Sequence, residues 1–178
     1  MSRAHVRIAA LRPPDAADFQ ALRLRALRED PDAFGSTYAE EAATPIATIA
    51  ARLEEAAAQA ASFILGAWSD PGNELVGLSA CFRLAALKER HRATVGGMFV
   101  LPEMRGRGIG SQLLDATIAR AREWSGLEQL TLTVVPSQRA ARALYLSRGF
   151  RSFGVAPRAL RYEGRYSDVE HFWLPLDD

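Results

Sequence analysis

Glycine occupies every second position of the run "GRGIG", at Gly106, Gly108 and Gly110. An apolar stretch, "GGMFVLPEM", leads into it, and a helical pattern, "SQLLDATIARARE", leads out. Glycine weakens the interior of a helix and of a strand alike, so the chain switches here from strand to helix through a bare loop. The first N–H groups of a helix have no intrahelical partner, and that end carries partial positive charge. Glycines allow a ligand close to that backbone, and Arg105 and Arg107 add full charge. The expected occupant is a phosphate or pyrophosphate. Taken alone, the same glycines also fit a solvated loop with its arginines in water.

Two familiar phosphate loops are excluded. A P-loop needs a lysine after its last glycine, and the segment has none. A dinucleotide fingerprint starting at Gly106 needs Gly or Ala where Ser111 stands, and an acid closing the next strand. That strand, "TLTVVP", ends without one.

The rest of the chain alternates strand and helix patterns. Residues 5–11 read as a strand and a helix opens at Asp15. Thr44 caps a second helix, with Pro45 in its first turn, running to Ala60. "SFILGAWS" and "ELVGLSACFRLAAL" read as strands joined by the turn "DPGN", and "ATVGGMFVL" as a third. The helix after the glycines runs to Ser125, with Gly126 as its stop. "LEQLTLTVV" is a strand, "SQRAARALYLSRGF" a helix ended by Gly149, and two strands follow near residues 150–161 and 166–174. The order β-α-α-β-β-β-α-β-α-β-β implies an α/β chain, a mixed sheet with helices against it. At 178 residues a single domain is expected, able to bury about 70% of its unfolded surface.

Composition removes several classes of function. A net charge of +1 argues against broad binding to a nucleic-acid backbone. No stretch approaches the ~20 apolar residues of a membrane span, and "MSRAHVRIAALRPPD" lacks the apolar core of a signal peptide. Cys81 is the only cysteine, which fits a reducing, cytoplasmic setting.

Read as R-x-x-G-x-G, with Arg105, Gly108 and Gly110, the segment "VLPEMRGRGIGSQLLDATIARARE" resembles the acyl-coenzyme A pyrophosphate loop of the GNAT acetyltransferase superfamily. "QRAARALYLSRGF" independently resembles that family's later motif N-x-x-A-x-x-L-Y-x-x-x-G-F, with Ala141, Leu144, Tyr145, Gly149 and Phe150 in place and Gln138 where asparagine is usual. The resemblance implies a GNAT fold over residues 1–178, with a mixed central sheet of about seven strands flanked by about four helices. It implies acetyl-CoA as acyl donor, coenzyme A as product and no metal. The pantetheine arm would lie along Met98, Phe99 and Val100, with backbone N–H groups polarising the thioester carbonyl. Arg105, Gly106, Arg107, Gly108, Ile109, Gly110 and Ser111 would hold the pyrophosphate, with Gln138 and Tyr145 also touching the cofactor. Gly96-Gly97 inside a strand marks a bulge or a close approach.

By the same resemblance Tyr145 is the general acid that protonates the departing thiolate. A phenol near pKa ~10 facing a thiol near ~8.5 works uphill by roughly 2 kcal/mol, and an apolar cleft that raises the thiolate's proton affinity closes the gap. An attacking amine must itself lose a proton. His91 and Glu103 are the first candidates for that base, with Asp168, Glu170 and His171 on the last strand behind them, and a water relay equally open. Phe34, Tyr38, Glu40 and Glu41 are the expected acceptor-binding residues, the acids favouring a cation. Arg158, Arg161 and Arg165 in the later loop favour an anion or coenzyme A's phosphates. The acceptor is expected to be a primary amine of a small molecule or peptide, and a homodimer is left open. The rival reading is a catalytically silent acyl-CoA-binding sensor.

Overall fold

The computed structural model describes residues 5–59 and 61–176. The first four residues of the N-terminal stretch and Ala60, the expected end of the second helix, lie outside them. Seven strands form one mixed sheet: β1 (Val6–Ala10), β2 (Ser62–Ser69), β3 (Leu75–Arg83), β4 (Arg92–Val100), β5 (Gln129–Val134), β6 (Arg151–Tyr162) and β7 (Arg165–Pro175). Their order is β1-β2-β3-β4-β5-β7-β6, and β4 with β5 is the parallel pair. Five α-helices accompany them: α1 (Ala16–Glu29), α2 (Tyr38–Ala42), α3 (Ile46–Gln59), α4 (Ile109–Arg122) and α5 (Arg139–Ser147). No helix among the described residues is long and apolar enough to cross a membrane.

β3 is buried from Leu75 to Cys81 without interruption, as a strand covered on both faces must be. One face packs against α4 through Ile109, Leu113, Leu114 and Ile118, joined by Tyr145 of α5. The other carries Leu22 and Ala26 of α1 and Ile49 and Leu53 of α3 on Trp68, Leu78 and Phe99.

β4 changes allegiance between these two cores. Ala93 and Val95 lie in the α4 core, but Phe99 lies in the α1–α3 core. Side chains alternate with period two, so these odd positions would share a face on a regular strand. The register explains the switch: Leu78 pairs with Phe99, but Ala80 pairs with Gly96, so one extra residue sits in β4. Gly97, at φ 62, takes the left-handed conformation there. The Gly96-Gly97 pair therefore marks a bulge.

The helices show the clearest differences from the sequence reading. α2 is an additional short helix, closed by a capping box in which Glu40 N–H donates to Thr37 Oγ1 and Thr37 N–H to Glu40 Oε2. The carbonyl of Pro45 accepts from Ile49 N–H, which makes Pro45 the residue flanking α3 rather than its first turn. α4 stops at Arg122, because Glu123 and Trp124 N–H reach back only three residues, to Arg120 and Ala121. That tightening ends the helix before Gly126, which still supplies the left-handed turn at φ 69.

Candidate active site

β4 and β5 pair only at Arg92, Ala93 and Thr94 with Gln129, Leu130 and Thr131. A Thr94–Thr131 hydroxyl contact of 3.1 Å pins the last rung. Beyond it the strands part, and a cleft of about 430 Å³ opens between the ends of β4 and β5, closed by the α4 loop and by α5. Leu101 N–H donates across to Val76 on β3. Backbone groups alternate sides along a strand, so the N–H and C=O of Val100 face away from β3, toward the opening. The bulge turns Met98 and Val100 to the α4 core, the same side as Tyr145.

The glycines of the loop divide by task. Gly106 and Gly108 have φ 75 and 80, and a Cβ on either would meet nothing within 4 Å. They leave the helix entrance open. A Cβ on Gly110 would make ordinary contact with Leu144 at 3.4 Å and Met98 at 3.7 Å, so this glycine faces α5 and β4 rather than the open entrance. Gly108 is the N-cap of α4 and provides no side-chain cap, so the first N–H groups of the helix keep their donor capacity for a ligand.

The arginines divide as well. Arg105 lines the cleft, but its guanidinium is committed to protein: Nε donates to the Val100 carbonyl at 2.9 Å and Nη2 to Asp30 Oδ2 at 2.6 Å. It fastens the loop to the end of β4 and to the end of α1. Arg107 is exposed, with no ion pair among the described residues. Met98, Phe99, Val100, Ile109, Ser111 and Gln138 also line the cleft.

Tyr145 borders it from α5, 7% exposed. Its ring packs on Phe150 and Phe172, at centroid distances of 6.0 and 6.5 Å. Its hydroxyl reaches only the Met98 sulfur, at 3.8 Å. Burial pushes the phenol up to about 12, so it is held as a neutral donor at any physiological pH.

The expected bases are not delivered. His91 lies at the start of β4, its carbonyl accepting from Glu128 and Gln129. The cleft is lined from Val95 onward, four residues and roughly 13 Å further along the strand at ~3.3 Å per residue. Glu103 is held by two 2.8 Å bonds from Arg25, which keep its carboxyl below the usual range. Glu170 is bound by Arg142 at 2.8 Å, which lowers it likewise. Asp168 accepts from Arg158 N–H at 2.7 Å, and His171 stands beside Phe153. Arg158 and Arg161 lie on the Tyr166 ring, and neither they nor Arg165 line the cleft.

The expected acceptor residues scatter. Phe34 lines the cleft and stacks on Arg23 at 4.6 Å. Tyr38 lies under Arg28, and its hydroxyl accepts from that guanidinium. Glu40 caps α2, and Thr37 N–H holds its carboxyl low. Glu41 instead borders a second cavity, of about 480 Å³, lying between α1, α3 and the sheet. Gly97 lines both cavities. Sequence reasoning missed Asp30 and the second cavity's Arg23 and Arg52. Arg23 stands between two leucines of the α1 stripe, where periodicity marks no inward polar group. Among the described residues no group of three His, Cys, Asp or Glu is placed to hold a metal.

The family model described as the acetyltransferase (GNAT) family matches residues 12–150. An L-methionine sulfoximine/L-methionine sulfone acetyltransferase of Pseudomonas paraeruginosa is 34% identical over 90 residues, 50% of this chain and 52% of that protein. A mycothiol acetyltransferase of Salinispora tropica is 33% identical over 150 residues, 82% of this chain and 44% of that protein. The chain thus spans about half the length of these curated relatives. Among solved structures, a phosphinothricin acetyltransferase of Sinorhizobium meliloti in complex with acetyl-CoA superposes with a TM-score of 0.80. It is 19% identical, and the match covers 96% of this chain and 88% of that one; at that identity the likeness concerns the fold.

Proposed function

This chain belongs to the acetyltransferase (GNAT) family, and from that premise we propose that it moves an acetyl group from acetyl-CoA to a primary amine, both bound at once. The observation that carries the reading is the combination of parted strands with an uncapped, glycine-opened helix entrance in one cleft. The residues present fit the donor. The free N–H groups of α4 and the exposed Arg107 suit a pyrophosphate, and the Val100 N–H, which faces the opening, suits an extended amide-bearing arm, added like a strand. Acetyl-CoA supplies the activated thioester.

The chain's own groups then have distinct tasks. Backbone N–H groups near Met98 to Val100 receive the thioester carbonyl oxygen as it gains charge. The amine nitrogen bonds to the acetyl carbon and the carbon–sulfur bond breaks. The Tyr145 hydroxyl gives its proton to the departing sulfur and regains one from solvent. Its pKa near 12 makes it a weak acid, but the same dry walls raise the proton affinity of a thiolate. The amine's proton leaves through water. Glu41 and Asp30, carboxylates bordering the two cavities, are bound to Arg23 and Arg105, so neither is assigned as a dedicated base. Cys81 as sole cysteine supports a cytoplasmic setting.

The test pairs calorimetric titration of acetyl-CoA with thiol release on a panel of amines, amino acids and peptides. Binding together with turnover is expected. Binding without turnover on any acceptor would make the chain a silent acyl-CoA module, and absence of binding would overturn the assignment.

A further inference from the structure

We infer that the second cavity is the acceptor site, and that it takes an amine which also carries a carboxylate on an apolar body, an apolar amino acid. The inference rests on the acetyltransferase reading and adds the substrate class. Its first ground is position. The cavity shares Gly97 with the cofactor cleft. A Cβ on Gly97 would point toward Leu78 and Ala80, at 3.8 and 4.0 Å, both of which line the second cavity. With only hydrogen there, an amine can approach from the α1–α3 side while the thioester lies on the α4–α5 side.

The second ground is the lining. Phe19, Ile49, Leu53, Ile64 and Phe82 form apolar walls, and about 480 Å³ falls in the range of small-molecule sites. The third is unspent donor capacity. Arg23 is 13% exposed at its side chain, and its Nε and Nη2 converge on one oxygen of Glu41, at 3.4 and 3.2 Å. Its Nη1 is buried with no hydrogen-bond partner. A buried guanidinium N–H without an acceptor is costly, and a small shift of the side chain would present it to a ligand. Arg52, exposed on α3, lines the same cavity without an ion pair among the described residues. Both acids of the lining are engaged: Glu41 by Arg23, and Glu55 by an interaction of its own. The unspent donors of the cavity are therefore the Arg52 guanidinium and the Nη1 of Arg23. Together they suit a carboxylate: the Arg52 fork can bind one through parallel hydrogen bonds, and Arg23 Nη1 can add a further donor. A dicationic or neutral amine would leave both unmet.

The experiment measures kcat/KM for leucine, methionine and phenylalanine beside their amides and their decarboxylated amines, with acetyl-CoA saturating. The acids should exceed both neutralised series by about 10- to 100-fold, the usual worth of hydrogen bonds between charged groups. Arg52→Ala, on an exposed position that should keep the fold, is expected to cut the acid-to-amide ratio about tenfold. Arg52→Lys should restore part of it, and acetyl-CoA affinity should stay unchanged. Equal or better turnover of the amides or decarboxylated amines would overturn the inference while leaving the acetyltransferase reading intact. So would an acid-to-amide ratio unmoved in Arg52→Ala, or acetyl-CoA binding with no turnover of any of the acids. Loss of acetyl-CoA binding in the unaltered protein would instead count against the parent reading.

Discussion

Tyr145 owes its character to where its hydroxyl is left: walled by Phe150 and Phe172, touching only a thioether, and otherwise facing the cleft. Tyr145→Phe keeps the ring and removes the donor, so turnover should fall by about 10²–10⁴ with acetyl-CoA affinity little changed. A variant with full kcat would end the catalytic role. The sign of its titration adds a second check. The folded phenol is raised to about 12, above the ordinary ~10 of an unfolded chain. Its contribution to stability is complete below pH ~10 and is lost as pH climbs toward 12, and the rate profile should show no alkaline fall due to Tyr145 below pH ~10. Cys81, fully buried and likewise pushed up to about 12, should stay silent to a thiol reagent until the protein is denatured. One reactive thiol per folded chain would contradict that burial. At this scale the sequence was legible where a position depends on a local motif: Tyr145 and the loop glycines line one cleft, where the two motifs had put them. It was not legible where the partner lies far along the chain: the bond from Arg105 to Asp30 cannot be seen from residue 105. His91 could have been discounted from sequence, since ligands gather at the carboxyl ends of parallel strands and His91 precedes one.

Among the elements, the entrance of α4 and the bulge of β4 do most to shape the site. Gly108 sits at φ 80 with open space around it, so alanine there meets no atom but carries a left-handed backbone cost of about 1–2 kcal/mol. Gly108→Ala should fold with a modestly lower Tm. Gly108→Glu, placing bulk and negative charge over the free N–H groups, should lose acetyl-CoA affinity far beyond the alanine variant. Equal affinities in the two, read by calorimetry, would return the loop to a solvated turn. The bulge was half visible in the sequence. Gly96-Gly97 announced an irregularity, but the transfer of Phe99 to the opposite core follows from a register that only pairing with β3 defines. Short α2 escaped because five residues carry no periodicity, although Thr37 and Glu40 already spelled its capping box.

At the scale of the molecule, one sheet separates two cores, and the two cavities lie on opposite sides of β4 and meet at Gly97. The order of elements could be read along the chain. The insertion of β7 between β5 and β6 depends on the last hairpin folding back, which strand patterns alone do not state. The cleft between β4 and β5 is bounded by these strands, α4, α5 and, through Asp30 and Phe34, the segment after α1. The Arg105–Asp30 pair ties that segment to the loop. A ligand touching all of these binds the folded chain and has little to hold in the unfolded one, so it must stabilise the whole fold. At 100 times its Kd, acetyl-CoA should add about 2.7 kcal/mol to unfolding. For a chain of this size that corresponds to a rise in Tm of roughly 5–11 °C. Coenzyme A, which keeps the pyrophosphate and pantetheine, should give most of the shift, whereas free pantetheine should give little, because the charged half is held by the α4 entrance. Thermal unfolding with each of the three ligands reads this directly. A Tm unmoved by saturating acetyl-CoA would remove the donor from the cleft, and a full shift with pantetheine alone would take the pyrophosphate out of the glycine loop.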